Sequence, residues 1–201
     1  MRGVGLGAAV VMAATLAMSL AGLFVRPSLI DRCAFRPYWI SRRRDWHTLV
    51  TSGLVHADLP HLIFNAVSFW FFAVPLERFI GTTRFAVLYA AGLLLSLSGS
   101  WVKHRNDPDY ATLGASGAIS AAVFAAIVYA PTSSLLILPI PVPIPAPLFA
   151  IGYLAYSWWS ARQDRGRINH DAHLGGALTG LVFVALTDPG AYPEAWRQIF
   201  H

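Results

Sequence analysis

The chain has 201 residues, 56% of them hydrophobic and only 12% charged, with a net charge of +5 and a mean hydropathy of +0.53. Soluble domains carry roughly a quarter charged residues, so this is membrane composition, and the positive charge reads as loop arginines at a lipid surface rather than a nucleic-acid footprint. The single cysteine, Cys33, excludes an intrachain disulfide and any paired-cysteine metal site.

Uncharged runs mark the spans in chain order. Residues 3–25 form a run of 23, long enough to cross a hydrocarbon core of about 30 Å. The run exceeds a signal-peptide core, so it reads as a retained span. The connection 26–46 mixes Arg32, Arg36, Arg42, Arg43 and Arg44 with Phe35, Tyr38, Trp39 and Trp46. That mixture suits a segment in the headgroup layer, and an ordinary surface loop fits equally, because no helical period runs through it. Residues 59–76 and 85–102 are uncharged for 18 residues each, and 110–161 for 52, too many for one span. Pro131 divides that long run, and Pro139, Pro141, Pro143, Pro145 and Pro147 keep the next stretch extended. Spans are therefore expected at roughly 4–25, 59–76, 84–102, 114–130, 146–160 and 171–187, an all-α membrane bundle of six helices in one domain, 1–201. No internal repeat is evident, which argues against a transporter built from inverted halves.

Polar groups inside spans are costly and mark function. His61 and Asn65 share a helical face at i and i+4 in the second span. Gly114-Ala115-Ser116-Gly117 opens the fourth, where unpaired N–H groups and the positive end of the helix dipole favour a negative charge beside the Ser116 hydroxyl. His173 lies in the sixth span, with Gly176 and Gly180 at i+3 and i+7, so a neighbouring helix can come close on that face. The small face of the fourth span, Gly117 and Ser120, is the expected partner, an arrangement that brings His173 to Ser116. Taken singly, each of these residues also reads as packing or as an interhelical hydrogen bonder. A metal reading would rest on His56 and His61, or on His170 and His173, but there is no HExxH and no acidic residue at the offset of a base. No Asp or Glu lies within a span interior, which excludes an aspartic dyad.

The motifs His61-Leu62-Ile63-Phe64-Asn65, Leu76-Glu77-Arg78-Phe79-Ile80-Gly81, Gly114 to Gly117 and Ala172 to Gly180, in this order and at these positions, resemble the rhomboid intramembrane serine proteases. The resemblance covers nearly the whole chain and implies a six-helix rhomboid-like bundle. It implies Ser116 as nucleophile and His173 as general base, and an oxyanion hole from His61, Asn65 and the Ser116 N–H. Glu77 and Arg78 match a structural loop motif, and Gly114, Gly117, Gly176 and Gly180 the packing glycines. It implies no cofactor and no metal, and membrane-protein substrates met within the lipid bilayer. Many members carry an aromatic residue four positions after the serine, packed on the catalytic histidine. That position is Ser120 here, so another ring, Tyr153 or Phe149 of the fifth span, is expected to take its place. The first loop reads Trp46-His47 where the family often has Trp-Arg. Asp171 sits two residues from His173 on another face and is a poor third member of a triad.

The alternative within the same family is an inactive relative that binds or extracts membrane proteins; such relatives usually lack the serine or the histidine, and both are present. The fifth span, with a helical part of about 22 Å, is short and proline-based, and is expected to be the movable wall. Sidedness has two readings. The connections near Ser116 and His173 hold eleven of the fifteen basic residues, so the positive-inside rule puts that face in the cytoplasm. The resemblance puts it outside a bacterial inner membrane, with both termini in the cytoplasm.

Overall fold

A computed structural model describes residues 4–137, 140–163 and 168–201. Pro139, together with Arg2, Arg165 and Arg167 of the fifteen basic residues counted above, lies outside the described residues. The helices are α1 (Leu6–Leu20, extended by a wide turn to Val25), α2 (Ser28–Cys33), α3 (Pro37–Arg43), α4 (Thr48–Thr51), α5 (Leu59–Ser68) and α6 (Val74–Ile80), with α7 (Thr82–His104) and α8 (Ser116–Tyr129) following. Strands β1 (Ser134–Ile137) and β2 (Ile140–Pro145) precede α9 (Ala146–Gln163), α10 (His170–Thr187) and α11 (Ala191–Phe200). A wide turn, Phe69–Ala73, joins α5 to α6 as one helical run.

Helices stand at all six expected places. Among the described residues, three helices are long and apolar enough to cross a membrane, Leu6–Val25, Leu59–Ile80 and Thr82–His104, with α10 and α11 a fourth if that pair, bent by 107°, counts as one span. The short apolar α8 has a physical reason for its length. Eleven of its 14 residues are buried, as expected for a helix that is apolar all round. α9 has 18 residues, about 27 Å, longer than expected from sequence.

Small residues let α7, α8 and α10 meet at backbone distance. A Cβ on Gly176 would overlap the Gly117 carbonyl group, and one on Gly180 the carbonyl group of Ala121. On α7, a Cβ at Gly92 would lie 2.7 Å from the Ala121 Cβ, and one at Gly175 of α10 would lie 3.1 Å from the Ser96 Cα. The expected α8 face was therefore half right. Gly117 is in it, but Ala121 takes the place of Ser120, which turns toward α9.

The connection 26–46 is more ordered than its pattern suggested, with two short helices, α2 and α3. It is tied down by a backbone bridge in which the Phe35 N–H donates to Thr112 O at 2.8 Å and the Thr112 N–H to Phe35 O at 3.0 Å. Phe35 and Trp46 pack on Trp101 of α7. The proline-rich stretch forms a hairpin, β1 antiparallel to β2 in the register Ser134↔Pro145 to Ile137↔Ile140, with a bulge after Leu136. Alternating prolines remove donors from one strand, which suits a lone two-stranded edge.

Glu77 corrects a further expectation. It lies in the last helical turn before Gly81, not in a loop, and is 2% exposed. Its carboxyl oxygens accept from the N–H groups of Gly7 and Ala8 at 2.9 and 2.8 Å, capping an α1 that has no side-chain cap of its own. The start of α1 and the end of α6 thus share one end of the bundle. The far end of α7, where Ser100 meets Asn169, lies with the start of α10 at the other. Glu77→Ala strands one buried and one part-buried donor, and we expect it to lower unfolding stability by about 1–3 kcal/mol, read as an earlier denaturation midpoint in detergent.

Candidate active site

The site is built at the end of the bundle where α5, α8 and α10 begin. Asp58 starts α5, its Oδ1 accepting the His61 N–H at 2.8 Å, the ordinary reward for an Asp N-cap. Gly114 lies before α8 with φ at +111°, a conformation other residues rarely adopt. Its N–H donates to Ser52 O at 2.9 Å. A Cβ there would lie 2.7 Å from His61 Cε1 and 2.8 Å from Nε2. The glycine therefore provides both the turn and the room for His61. Ser116 follows as the first residue of α8, whose amino end has no side-chain cap, so its first N–H groups remain aimed outward.

α10 is started by Asn169, a residue sequence reading missed. Its Oδ1 accepts the Ala172 N–H at 2.9 Å, and its Nδ2 donates to Ser100 Oγ at 2.8 Å and Thr112 Oγ1 at 3.0 Å. One amide thereby joins α7, the segment before Ser116 and the helix that carries His173. Its only sequence signal was an Asn directly before the sixth run, a weak N-cap signature.

His61, Asn65, Ser116, Ser120, Tyr153 and His173 all line one groove of about 2390 Å³. α8 forms its back wall, with Phe64, Phe71 and Phe79 of α5–α6 on one side and Leu148, Phe149 and Tyr156 of α9 on the other. Among the described residues no hydrogen bond joins Ser116 to the His173 ring. Hydrogen bonds between a nucleophile and its base are in general often loose until substrate binds. Tyr153 does what Ser120 cannot: its ring lies near-parallel to His173 at 6.2 Å between centroids and 18° between planes. Its hydroxyl is 3.2 Å from Ser120 Oγ. Phe149, the other expected ring, packs on Tyr153 at 5.4 Å. Asp171 pairs with Lys103 at 3.5 Å, away from a triad role. A second, small cavity of about 10 Å³ lies behind Ser116, lined by Ser52, Ser96, Thr112 and Asn169 among others. Its polar walls and size are at the lower bound for one water molecule.

His56, outside the spans, is fully buried just ahead of α5. Burial, reinforced by the neighbouring His61, pushes its pKa down to about 4.

The Rhomboid domain family matches residues 43–189. The chain belongs to the rhomboid family. It is 42% identical to YdcA of Bacillus subtilis over 76 residues, covering 37% of each chain. It is 29% identical over 161 residues to the RHOMBOID-like protein 12, mitochondrial, of Arabidopsis thaliana, covering 73% of this chain and 48% of that one. It is 35% identical over 75 residues to the rhomboid protease GluP of Bacillus subtilis, covering 37% of this chain and 14% of that protein. The chain thus spans less than half the length of each. Membership, with the long apolar helices, makes this rhomboid an integral membrane protein.

A neutral His56 held in the fold carries a pH signature. The unfolded chain takes up this proton from about pH 6.5 downward, while the folded chain resists it until about pH 4. Stability is therefore full above pH 6.5 and is lost as pH falls toward 4. Denaturation midpoints of wild type and His56→Gln between pH 7.5 and 4.5 should converge or cross in favour of the variant on the acid side.

Proposed function

We propose that this rhomboid is an intramembrane serine endopeptidase that cleaves transmembrane segments of membrane proteins, a single rhomboid-like domain of six spans working without metal or cofactor in a bacterial inner membrane. Ser116 is the nucleophile, His173 the general base, and His61, Asn65 and the Ser116 N–H the oxyanion donors. The observation that supports this best is that the four side chains border one groove between α5–α6 and α9. At about 2390 Å³ the groove has room for a helical segment about 30 Å long.

In this reading a substrate segment enters between α5–α6 and α9 and unwinds locally, exposing one peptide carbonyl. Ser116 Oγ attacks the carbonyl carbon while His173 accepts the hydroxyl proton. The carbonyl oxygen becomes an oxyanion, stabilised by the Ser116 N–H, His61 and Asn65. Collapse breaks the C–N bond, and His173 returns its proton to the leaving amine. Water, for which the small cavity behind Ser116 is a natural store, attacks the acyl ester with His173 again as base. Cleavage of that ester frees the new carboxyl end and restores the Ser116 hydroxyl.

For sidedness, the arginines of the first loop matter. Arg42 and Arg43 lie 3.8 and 3.6 Å over the rings of Tyr38 and Trp39. Arginines paired with aromatic rings serve as headgroup anchors on either face, so the proposed orientation keeps the termini in the cytoplasm and the groove mouth outside.

Ser116→Ala and His173→Ala should each abolish cleavage of a single-span test substrate and labelling by a fluorophosphonate, with folding intact. Turnover retained by Ser116→Ala refutes the mechanism. A folded wild type that binds membrane substrates and neither cuts nor labels is the inactive family alternative. Asn65→Ala should cost roughly 10²–10³-fold in kcat.

Tyr153 gives a separate test. Loss of an aromatic contact of about 0.5–1.5 kcal/mol predicts up to about a tenfold fall in kcat for Tyr153→Ala. Tyr153→Phe, which keeps the ring and loses only the Ser120 contact, should stay within about threefold.

A further inference from the structure

One polar side chain beside the groove has no part in the reaction as written. His56 is 0% exposed and sits at the junction of three elements. Its Nδ1 is 2.9 Å from Ser19 Oγ of α1. Its ring meets that of His61 edge-on, with centroids 4.8 Å apart and planes at 77°. A Cβ on Gly114 would lie 3.9 Å from its Cδ2. Asn65 is among the side chains that act on it.

The proton positions follow from the orphans. His56 Nε2 and Asn65 Oδ1 are both buried without a partner, while Asn65 Nδ2 donates to His61 O at 3.0 Å. Ser19 has one hydroxyl proton and two acceptors in range, His56 Nδ1 and, at 3.0 Å, Leu54 O. If the proton goes to Leu54, His56 must carry its own proton on Nδ1. Nε2 and Oδ1 are then both lone pairs, buried with no donor for either. If Ser19 donates to Nδ1, the ring proton sits on Nε2 and finds Asn65 Oδ1. Only the second arrangement gives one of the two orphans a proton to offer the other. It leaves one carbonyl short of one bond, where the first arrangement leaves two buried acceptors with no donor.

We infer that His56 is a positioning residue for the oxyanion site: its Nε2–H donates to Asn65 Oδ1 and locks the amide, so that one Nδ2 proton is spent on the His61 carbonyl and the other faces the groove. The same ring backs His61, so one imidazole orients both oxyanion side chains. The hydrogen bond itself is independent of the protease reading; its catalytic consequence rests on that reading.

Two measurements test it on the full chain in detergent. Histidine ¹⁵N NMR reports the tautomer, with the His56 signal assigned by its loss in His56→Gln. An Nε2–H signal is expected, and an Nδ1–H signal overturns the inference. Kinetically, glutamine places a donor where Nε2 stands and asparagine places one where Nδ1 stands. His56→Gln should keep kcat within about threefold of wild type. His56→Asn should lose about tenfold in kcat, a fraction of a full oxyanion donor, with KM unchanged. In an Asn65→Ala background the two variants should become equal. Equal losses in Gln and Asn, or a further separation on Asn65→Ala, overturn it. If His56→Asn does not fold, the NMR result decides alone. If wild type neither cuts nor labels, the protease reading fails while the NMR result still judges the hydrogen bond.

Discussion

The structure depends on one near-collision of backbones, where Gly176 of α10 meets the Gly117 carbonyl of α8 with no room for a single carbon between them. In a membrane, lipid tails are as apolar as leucine, so helices associate through close packing and hydrogen bonds rather than through expulsion of water. Small residues at Gly117, Ala121, Gly176 and Gly180 supply that closeness over two turns of both helices. Because Ser116 is the residue before Gly117, and His173 is one turn before Gly176, the same contact fixes where both stand. The catalytic reading is thus a by-product of how two helices pack.

Around this contact the other polar groups act as fasteners between elements. Glu77 anchors α1, Asn169 joins α7 and α10 to the segment before Ser116, and Ser52 and Phe35 hold that segment from the first-loop side. Each fastener spans elements far apart in sequence. Each satisfies backbone or side-chain groups that a low-dielectric surrounding would otherwise leave at high cost.

What was legible in the sequence and what was not divides along the same line. The positions of the helices could be read from uncharged runs, and His61, Asn65, Ser116 and His173 from their rarity inside such runs and from the rhomboid motifs. A ring for His173 could be anticipated because Ser120 is too small to pack there, and Tyr153 is the residue found beside it. Asn169 and Ser52 were invisible, since their roles come from partners dozens of residues away and no periodicity encodes a long-range hydrogen bond. α11 was missed because it is amphipathic and carries Glu194 and Arg197, so it shows no uncharged run. The role of Glu77 was misplaced because the motif was read as a loop, whereas the helix continues to Ile80.

The attachment of Tyr153 has a consequence for timing. The ring beside His173 belongs to α9, whereas His173 itself belongs to the tightly packed α8–α10 pair. Any outward swing of α9 that widens the groove also withdraws Tyr153 from the imidazole. If His173 is the base, width of passage and the order of that base are therefore opposed, as in an interlock that keeps a machine idle while its hatch is ajar. On the proposed function, a segment that props α9 open without letting it settle back would meet a histidine with no ring behind it and leave uncut, so selection among segments would act through how well each lets the hatch close.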